Sequence, residues 1–297
     1  MMREIPRPSL AERTTLRLGG TAIAELVLDD VADLAALPGR LRALGGSPLI
    51  LGAGSNILAR DGALPLVLVR PRFMQGPDVV GEKDGKVLVR VGAGVPLPRL
   101  LRFCAARALS GLEGLVGIPG SVGGAVAMNA GSFGAETCKN IELIQIFNGE
   151  TTRGFTVDAL QYGYRTLSIP EEKKGFMVVE ATFGLTESAR DGISKRMRHN
   201  FFEKKSKQPV TAWSAGCAFK NPAPDMPAGR LLEQAGYKGK KLGGMAFSTL
   251  HANFLINEGG GSADAALALL REAREAVLQR FGFALEPEVR IVPCLSR

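Results

Sequence analysis

The chain has 297 residues, 45% of them hydrophobic and 22% charged, which is the balance of a soluble protein with room for two or three cored domains. No apolar run approaches the roughly 18 residues needed to span a bilayer, and the first residues lack the apolar stretch of a secretion signal, so a cytoplasmic protein is expected. The formal charge of +8 implies polyanionic partners. The basic residues are dispersed without a nucleic-acid-recognition pattern, which favours a small phosphorylated ligand.

The chain opens as small α/β. Residues 22–29 and 47–51 read as strands with a helix over 31–44 between them, and 65–70 as a further strand. The turn Gly52-Ala53-Gly54-Ser55-Asn56 directly follows an apolar strand, where backbone N–H groups can meet phosphate. Alone it fits a tight connection equally well. It is not GxGxxG and lacks the acidic residue of a dinucleotide fold, so a Rossmann domain is excluded.

A second segment begins with a strand at 86–91 and a helix over 97–109 whose apolar residues recur at helical spacing. A glycine-rich stretch over 111–134 follows. Residues 141–147 and 150–155 read as a hairpin closed by Asn148-Gly149, which suits a type I′ turn, and 176–183 as another strand. A basic helix over 187–205 leads to the third segment, with a helix at 228–235 and a strand at 253–257. A long helix over 263–281 is capped by Ser262 and stopped by Gly282. A strand over 285–292 closes the chain. The class is α+β, with boundaries expected at 1–72, 73–197 and 198–297. Four scattered cysteines and two histidines give no metal-ligand spacing, so no metal is expected, and no role is assigned to Cys104, Cys138 or Cys294.

Three motifs in order, Gly52–Asn56, the run from Gly111 to Gly131 and Ser214-Ala-Gly-Cys-Ala-Phe-Lys-Asn-Pro222, resemble the UDP-N-acetylenolpyruvoylglucosamine reductase family. Arg17-Leu-Gly-Gly20, Tyr164-Arg165, His251-Ala-Asn-Phe254 and Leu285-Glu-Pro-Glu-Val-Arg290 extend the likeness over nearly the whole chain. No insertion bearing a substrate-capping tyrosine is present in the third segment, which implies the shorter subtype of the family.

The resemblance implies a two-domain FAD-binding unit of the vanillyl-alcohol-oxidase type and a C-terminal α+β substrate-binding domain. It implies non-covalent FAD, NADPH as co-substrate, and reduction of UDP-N-acetylglucosamine enolpyruvate to UDP-N-acetylmuramate for peptidoglycan synthesis. The pyrophosphate is then expected on Gly52, Ala53, Gly54, Ser55 and Asn56. Ile118, Pro119, Gly120, Ser121, Gly123 and Gly124 are expected beside the flavin, with Asn129, Gly131 and Ser132 extending that wall.

Carried over position by position, Arg165 would stabilise the enolate, Glu288 would assist from the other side, and Cys217 would donate the proton. Taken alone, Arg165 reads as a surface ion pair, Glu288 as a strand carboxylate beside Arg290, and Cys217 as a small buried residue. Cys217 stands where the family usually has serine; a thiol, with a pKa of about 8.5, is a stronger acid than an alcohol. Tyr164, Lys220, Asn221, Gln234, Ser248, His251 and Asn253 would hold the UDP-sugar or the nicotinamide nucleotide, although His251 also fits a structural histidine. A flavin oxidase of the same fold acting on a hydroxy acid or sugar is the alternative. Neither His199 nor His251 lies in the glycine-rich N-terminal region where a covalent flavin link would form. The expected partners are the UDP-sugar and NADPH, with no nucleic acid and no membrane, on a monomer or weak dimer.

Overall fold

A computed structural model describes residues 1–172 and 175–293, which divide into two compact units. The first comprises Met1–Pro6, Ala24–Ala53 and Val67–Glu203; the second comprises Arg7–Ile23, Gly54–Leu66 and Lys204–Arg297.

In the first unit, Ala24–Leu28 is buried at every position and pairs on both edges, antiparallel to Arg3–Pro6 and parallel to Leu66–Pro71. A central strand with both faces covered has no polar side, which is why this run reads as continuous apolar sequence. Its one acidic residue, Glu25, is neutralised by an ion pair with Arg70 of the neighbouring strand. Ser47–Ile50 completes that sheet. A larger antiparallel sheet runs in the order Thr152–Thr156, Ile141–Phe147, Met177–Glu187, Lys86–Gly92, Asp78–Lys83. Leu97, Leu100, Leu101 and Cys104 of the helix Leu97–Ala106 are buried in the core these sheets share.

In the second unit, Trp213–Cys217, Phe254–Asn257, Met245–Phe247 and Lys241–Leu242 form an antiparallel sheet. The helix Ala263–Phe281 has the bounds its caps predict: Ser262 Oγ accepts from the Ala265 amide, and Gly282 ends it at φ 75°. Its buried stripe of Ala266, Leu269, Leu270, Ala273 and Val277 joins Phe219 and Phe247 in one core. Each large apolar side chain so buried contributes about 1.5–3 kcal/mol. The early segments enter the same core through Leu16, Leu18 and Leu58, and Ile57–Ala59 pairs in parallel with Arg290–Val292.

The early segments also meet each other, beside Gly20, at one of the closest backbone approaches in the chain. Gly20 donates to the Arg60 carbonyl at 2.8 Å, and a Cβ built on Gly20 would lie 1.8 Å from the Gly62 carbonyl oxygen. Backbone cannot yield as a side chain would. Gly20→Ala is therefore expected to destabilise the protein by on the order of 3 kcal/mol, read as a fall in the urea midpoint with unchanged m; a wild-type midpoint would show that the two segments separate freely.

Several elements differ from expectation. The expected helix over 31–44 is a 3₁₀ turn, Val31–Ala35, followed by the helix Leu37–Leu44 after Ala36. The Asn148-Gly149 hairpin forms, but through the longer connection 148–151. Asn148 Oδ1 accepts from the amides of Glu150 and Thr151, and only Gly149 has positive φ, whereas a type I′ turn needs two such residues. The closing strand is confined to Arg290–Val292. The strands Gln161–Gly163 and Thr166–Ser168 form a small hairpin that periodicity did not announce.

Candidate active site

In the first unit the two glycine-rich segments meet. A Cβ on Gly52 would sit 2.6 Å from Ser121 Oγ, so any larger residue would have to displace that hydroxyl. Ser121 Oγ accepts from the Gly124 amide and caps the short helix Val122–Ala127. Gly123 donates to the Ala93 carbonyl at 2.9 Å, and a Cβ there would meet Ala93 Cβ at 2.7 Å. Part of the glycine content therefore serves packing. Gly120 has φ 144°, which favours glycine, and its carbonyl accepts from the Leu97 amide. Ile118 packs on the apolar core. Arg70, which pairs with Glu25, also donates from Nη1 to the Gly52 carbonyl at 3.3 Å and so holds the turn from below. Sequence reasoning missed Arg70; its only signal was the lone acid of a buried strand.

The hairpin Gln161–Gly163/Thr166–Ser168 turns through Tyr164 and Arg165. Arg165 is left-handed at φ 59°. Its Nη2 donates to the Gly131 carbonyl at 2.9 Å, and its guanidinium lies 4.9 Å from the Tyr164 ring centroid. Asn129, 1% exposed, donates from Nδ2 to the Gly163 carbonyl at 2.9 Å and to Glu136 Oε2 at 3.0 Å. Its Oδ1 accepts from the Cys138 amide at 3.0 Å. A second residue that sequence reasoning missed, the acid Glu113, follows Gly111-Leu112. Burial alone would raise its pKa, but Ser110, the Gly111 amide and Arg196 bind the carboxylate and bring it down to about 2.

In the second unit Cys217 and Glu288 lie on neighbouring segments. The strand Trp213–Cys217 bulges between Ser214 and Cys217 at Gly216, φ 83°. Ser214 Oγ accepts from the Gly216 amide and donates to the Leu255 carbonyl, fixing the bulge that turns Cys217. The Glu288 amide donates to the Ala218 carbonyl, the Lys220 amide to the Glu286 carbonyl, and Phe219 bridges Pro287 between them. Asn56 Nδ2 donates to the Glu288 carbonyl at 3.1 Å, and the Arg290 amide to the Asn56 carbonyl. Gly54, at φ 67°, lies under Arg13–Thr15, accepts from the Thr15 amide, and has no room for a Cβ.

The remaining polar residues divide by what they touch. Asn253 is buried and binds both the amide and the carbonyl of Phe219, so its side chain anchors the Cys217-bearing segment. Asn221 Oδ1 accepts from the Ala228 amide at the start of the next helix. Ser248 Oγ accepts from the Leu250 amide, and Lys220 pairs with Glu286 at 2.7 Å. Gln234 is exposed, with its carbonyl bound by Arg280. His251 Nδ1 accepts from the Asn253 amide, and burial pushes the imidazole pKa down, favouring the neutral ring.

Cys104 and Cys138 are core residues; burial pushes each thiol up to about 12. Cys217 is half-buried, and Cys294 lies outside the described residues. Because the thiolate is the reactive form, iodoacetamide applied to the native protein is expected to label Cys217 and to spare Cys104 and Cys138 until the chain is unfolded. Peptide mapping checks this; early labelling of Cys138 would show its unit opening. Among the described residues no group of three His, Cys, Asp or Glu could hold a metal ion, and no helix is long and apolar enough to cross a membrane.

Comparison with known proteins gives this arrangement its context. A model of the C-terminal domain of UDP-N-acetylenolpyruvoylglucosamine reductase matches residues 208–292, and an FAD-binding domain model matches 24–150. A UDP-N-acetylenolpyruvoylglucosamine reductase from Nitratidesulfovibrio vulgaris is 50% identical over 296 residues, covering 99% of this chain and 100% of its own. The chain belongs to the UDP-N-acetylenolpyruvoylglucosamine reductase family. The reductase from Oleidesulfovibrio alaskensis is likewise 50% identical, over 96% of this chain and 97% of its own. The crystal structure of the Thermus caldophilus reductase superposes with a TM-score of 0.82 at 34% identity, covering 99% of this chain and 100% of that one. The expected class stands: an FAD-binding unit followed by a C-terminal domain of this reductase family, with mixed helices and strands throughout.

The residues fit the flavin nucleotide that the family implies. The Gly52 backbone lies close against the Ser121 hydroxyl, which puts a hydroxyl and small residues along a stretch free of acidic side chains. That donor set suits a pyrophosphate.

Proposed function

We propose that this chain reduces the enolpyruvyl group of UDP-N-acetylglucosamine enolpyruvate to give UDP-N-acetylmuramate, with NADPH as the source of reducing equivalents. The observation that carries the reading is family membership along the full chain, supported by the backbone pairing, through the Glu288 amide and the Ala218 carbonyl, of the segments that bear Cys217 and Glu288. Residues 52–56, 118–124 and 131 would hold FAD, which when bound supplies the hydride that adds to the terminal vinylic carbon.

The chain's own residues then manage charge and proton. The carbon bearing the carboxylate gains carbanion character, which spreads into the carboxylate. The Arg165 guanidinium binds that carboxylate and offsets its growing charge; a planar, permanently charged fork suits the task. Glu288 hydrogen-bonds the enol region. Cys217 Sγ gives its proton to the carbanion, completing addition of one hydride and one proton across the double bond, and regains a proton from solvent. Lys220, paired with Glu286, and Tyr164, stacked against Arg165, would meet the UDP-sugar. Asn221, Ser248, His251 and Asn253, bound within the protein through the atoms described above, shape the surrounding wall, and Gln234 lies at its exposed margin.

The functional division is 1–72 and 73–197 for the flavin and 198–297 for the substrate. The reaction is placed in the cytoplasm, on a monomer or weak dimer that binds neither nucleic acid nor membrane.

An anaerobic half-reaction tests the reading. The purified flavoprotein is reduced with one equivalent of NADPH, the nucleotide is removed, and UDP-N-acetylglucosamine enolpyruvate is added. Rapid return of oxidised flavin absorbance with formation of UDP-N-acetylmuramate is expected. Flavin that stays reduced until oxygen is admitted would instead make the protein an oxidase of the same fold.

A further inference from the structure

The residue expected to line the flavin wall, Asn129, has no side-chain hydrogen-bonding group directed at a ligand. Its two-sided carboxamide is closed inside the protein: Nδ2 serves the Gly163 carbonyl and Glu136, and Oδ1 serves the Cys138 amide. The backbone at Asn129 is left-handed, φ 38°, a region that asparagine tolerates better than most residues. Gly163 is the residue just before Tyr164-Arg165, so this buried amide grips the base of the turn that presents Arg165.

The circuit closes on the other side. Arg165 Nη2 donates to the Gly131 carbonyl, and Gly131 pairs with Glu136 across the two-stranded ribbon Gly131–Ser132/Ala135–Glu136. A Cβ on Gly131 would fall 3.3 Å from both Arg165 Nη1 and Glu136 Cγ, so the guanidinium and the Glu136 side chain pass over one small residue. Glu136 is bound by Lys139 at 2.6 Å as well as by Asn129. Hydrogen bonds from Lys139 and Asn129, with the nearby Arg165 charge, hold its carboxyl below the usual range. An ionised Glu136 therefore stands beside Arg165, oriented by Asn129.

We infer that Asn129, with Glu136, is a positioning residue for Arg165: it fixes the Gly163–Arg165 turn and the guanidinium above Gly131 so that a substrate carboxylate meets a pre-oriented cation. The inference rests on the reading of Arg165 as the carboxylate clamp. Asparagine is required because the site needs two N–H donors and one acceptor in a planar group of this size. Aspartate has the same shape and keeps the acceptor for Cys138. It would place an oxygen against the Gly163 carbonyl and the Glu136 carboxylate, and the turn would open.

The test compares two ligands on the oxidised, flavin-loaded enzyme by calorimetry: UDP-N-acetylglucosamine enolpyruvate, which carries the carboxylate, and UDP-N-acetylglucosamine, which does not. Asn129→Asp is expected to bind the first about tenfold more weakly and the second as wild type does, with flavin content retained and the fold kept at the assay temperature, although the melting temperature falls. Arg165→Ala is expected to show the same selective loss, and Asn129→Asp added to it should weaken binding no further. Loss of flavin, or equal weakening of both ligands, would overturn the inference and return Asn129 to the flavin wall. Additive loss in the double variant would also overturn it. Should Arg165→Ala bind the enolpyruvyl ligand normally, the clamp reading itself falls, a result separable from a wild-type Asn129→Asp beside a weakened Arg165→Ala, which overturns the positioning role alone. If Asn129→Asp does not fold, Glu136→Gln carries the test: a smaller loss confined to the carboxylate ligand supports the inference, and wild-type binding overturns it.

Discussion

Replacing Cys217 by alanine is expected to slow reoxidation of the reduced flavin by the enolpyruvyl substrate by about 10²–10⁴-fold, the usual contribution of a positioned proton donor. Reduction by NADPH and flavin content should be unchanged. The expectation follows from placement. A Ser214-buttressed bulge turns the strand end at Gly216, and the next residue but one, Ala218, carries the carbonyl that binds the Glu288 amide. The thiol is thus tied to the second candidate catalytic residue through backbone that cannot drift. Cys217→Ser is the informative companion. A hydroxyl is a weaker acid than a thiol, yet it retains a transferable proton in the same place, so most of the rate should return. Single-turnover absorbance traces at the flavin band read both variants. An alanine variant that reoxidises at the wild-type rate would remove Cys217 from the mechanism, and an alanine variant that no longer accepts electrons from NADPH would show that its effect is on the fold of the site.

What the sequence made legible was local. The helix Ala263–Phe281 is announced by its cap, its stop and its apolar stripe, and Ala24–Leu28 by an unbroken apolar run around one acid. The turn at 52–54 is visible as glycine after a strand. The illegible parts depend on distant partners. Nothing near Leu16, Leu18 or Leu58 states that they share a core with Phe219 and Leu269, because an apolar residue in a loop carries no address. Asn148-Gly149 favours a two-residue turn, but the Asn148 carboxamide captured two later amides and stabilised a longer one. Side-chain capture of backbone groups likewise explains Asn253 and Asn221, which match motif positions yet bind Phe219 and the Ala228 amide. A motif identifies a residue type at a position; only the fold shows whether its polar atoms face a ligand or the chain.

Arg165→Gly is expected to separate stability from activity. The wild-type residue sits at φ 59°, where a side chain costs about 1–2 kcal/mol and glycine costs nothing. Glycine would forfeit the bond to the Gly131 carbonyl and the stacking on Tyr164, each about 1 kcal/mol or less at such a partly exposed site. It would also add freedom to the unfolded chain, about 0.5–1 kcal/mol. These opposing terms nearly cancel, so the melting temperature should stay within about 4 °C of wild type. Activity should not survive the exchange. Without the cation, charge developing on the substrate carboxylate is met by no permanent positive group of this turn, and kcat/KM should fall about 10²–10³-fold, the scale of losing one aimed electrostatic contact. Arg165→Lys should recover little, since a point charge on a flexible stem does not reproduce a planar fork held at Gly131. A residue selected for stability alone would not leave arginine where glycine is favoured. If Arg165→Gly instead melts far below wild type with activity lost in proportion to unfolding, the strained turn is a structural element and the carboxylate must find its cation elsewhere.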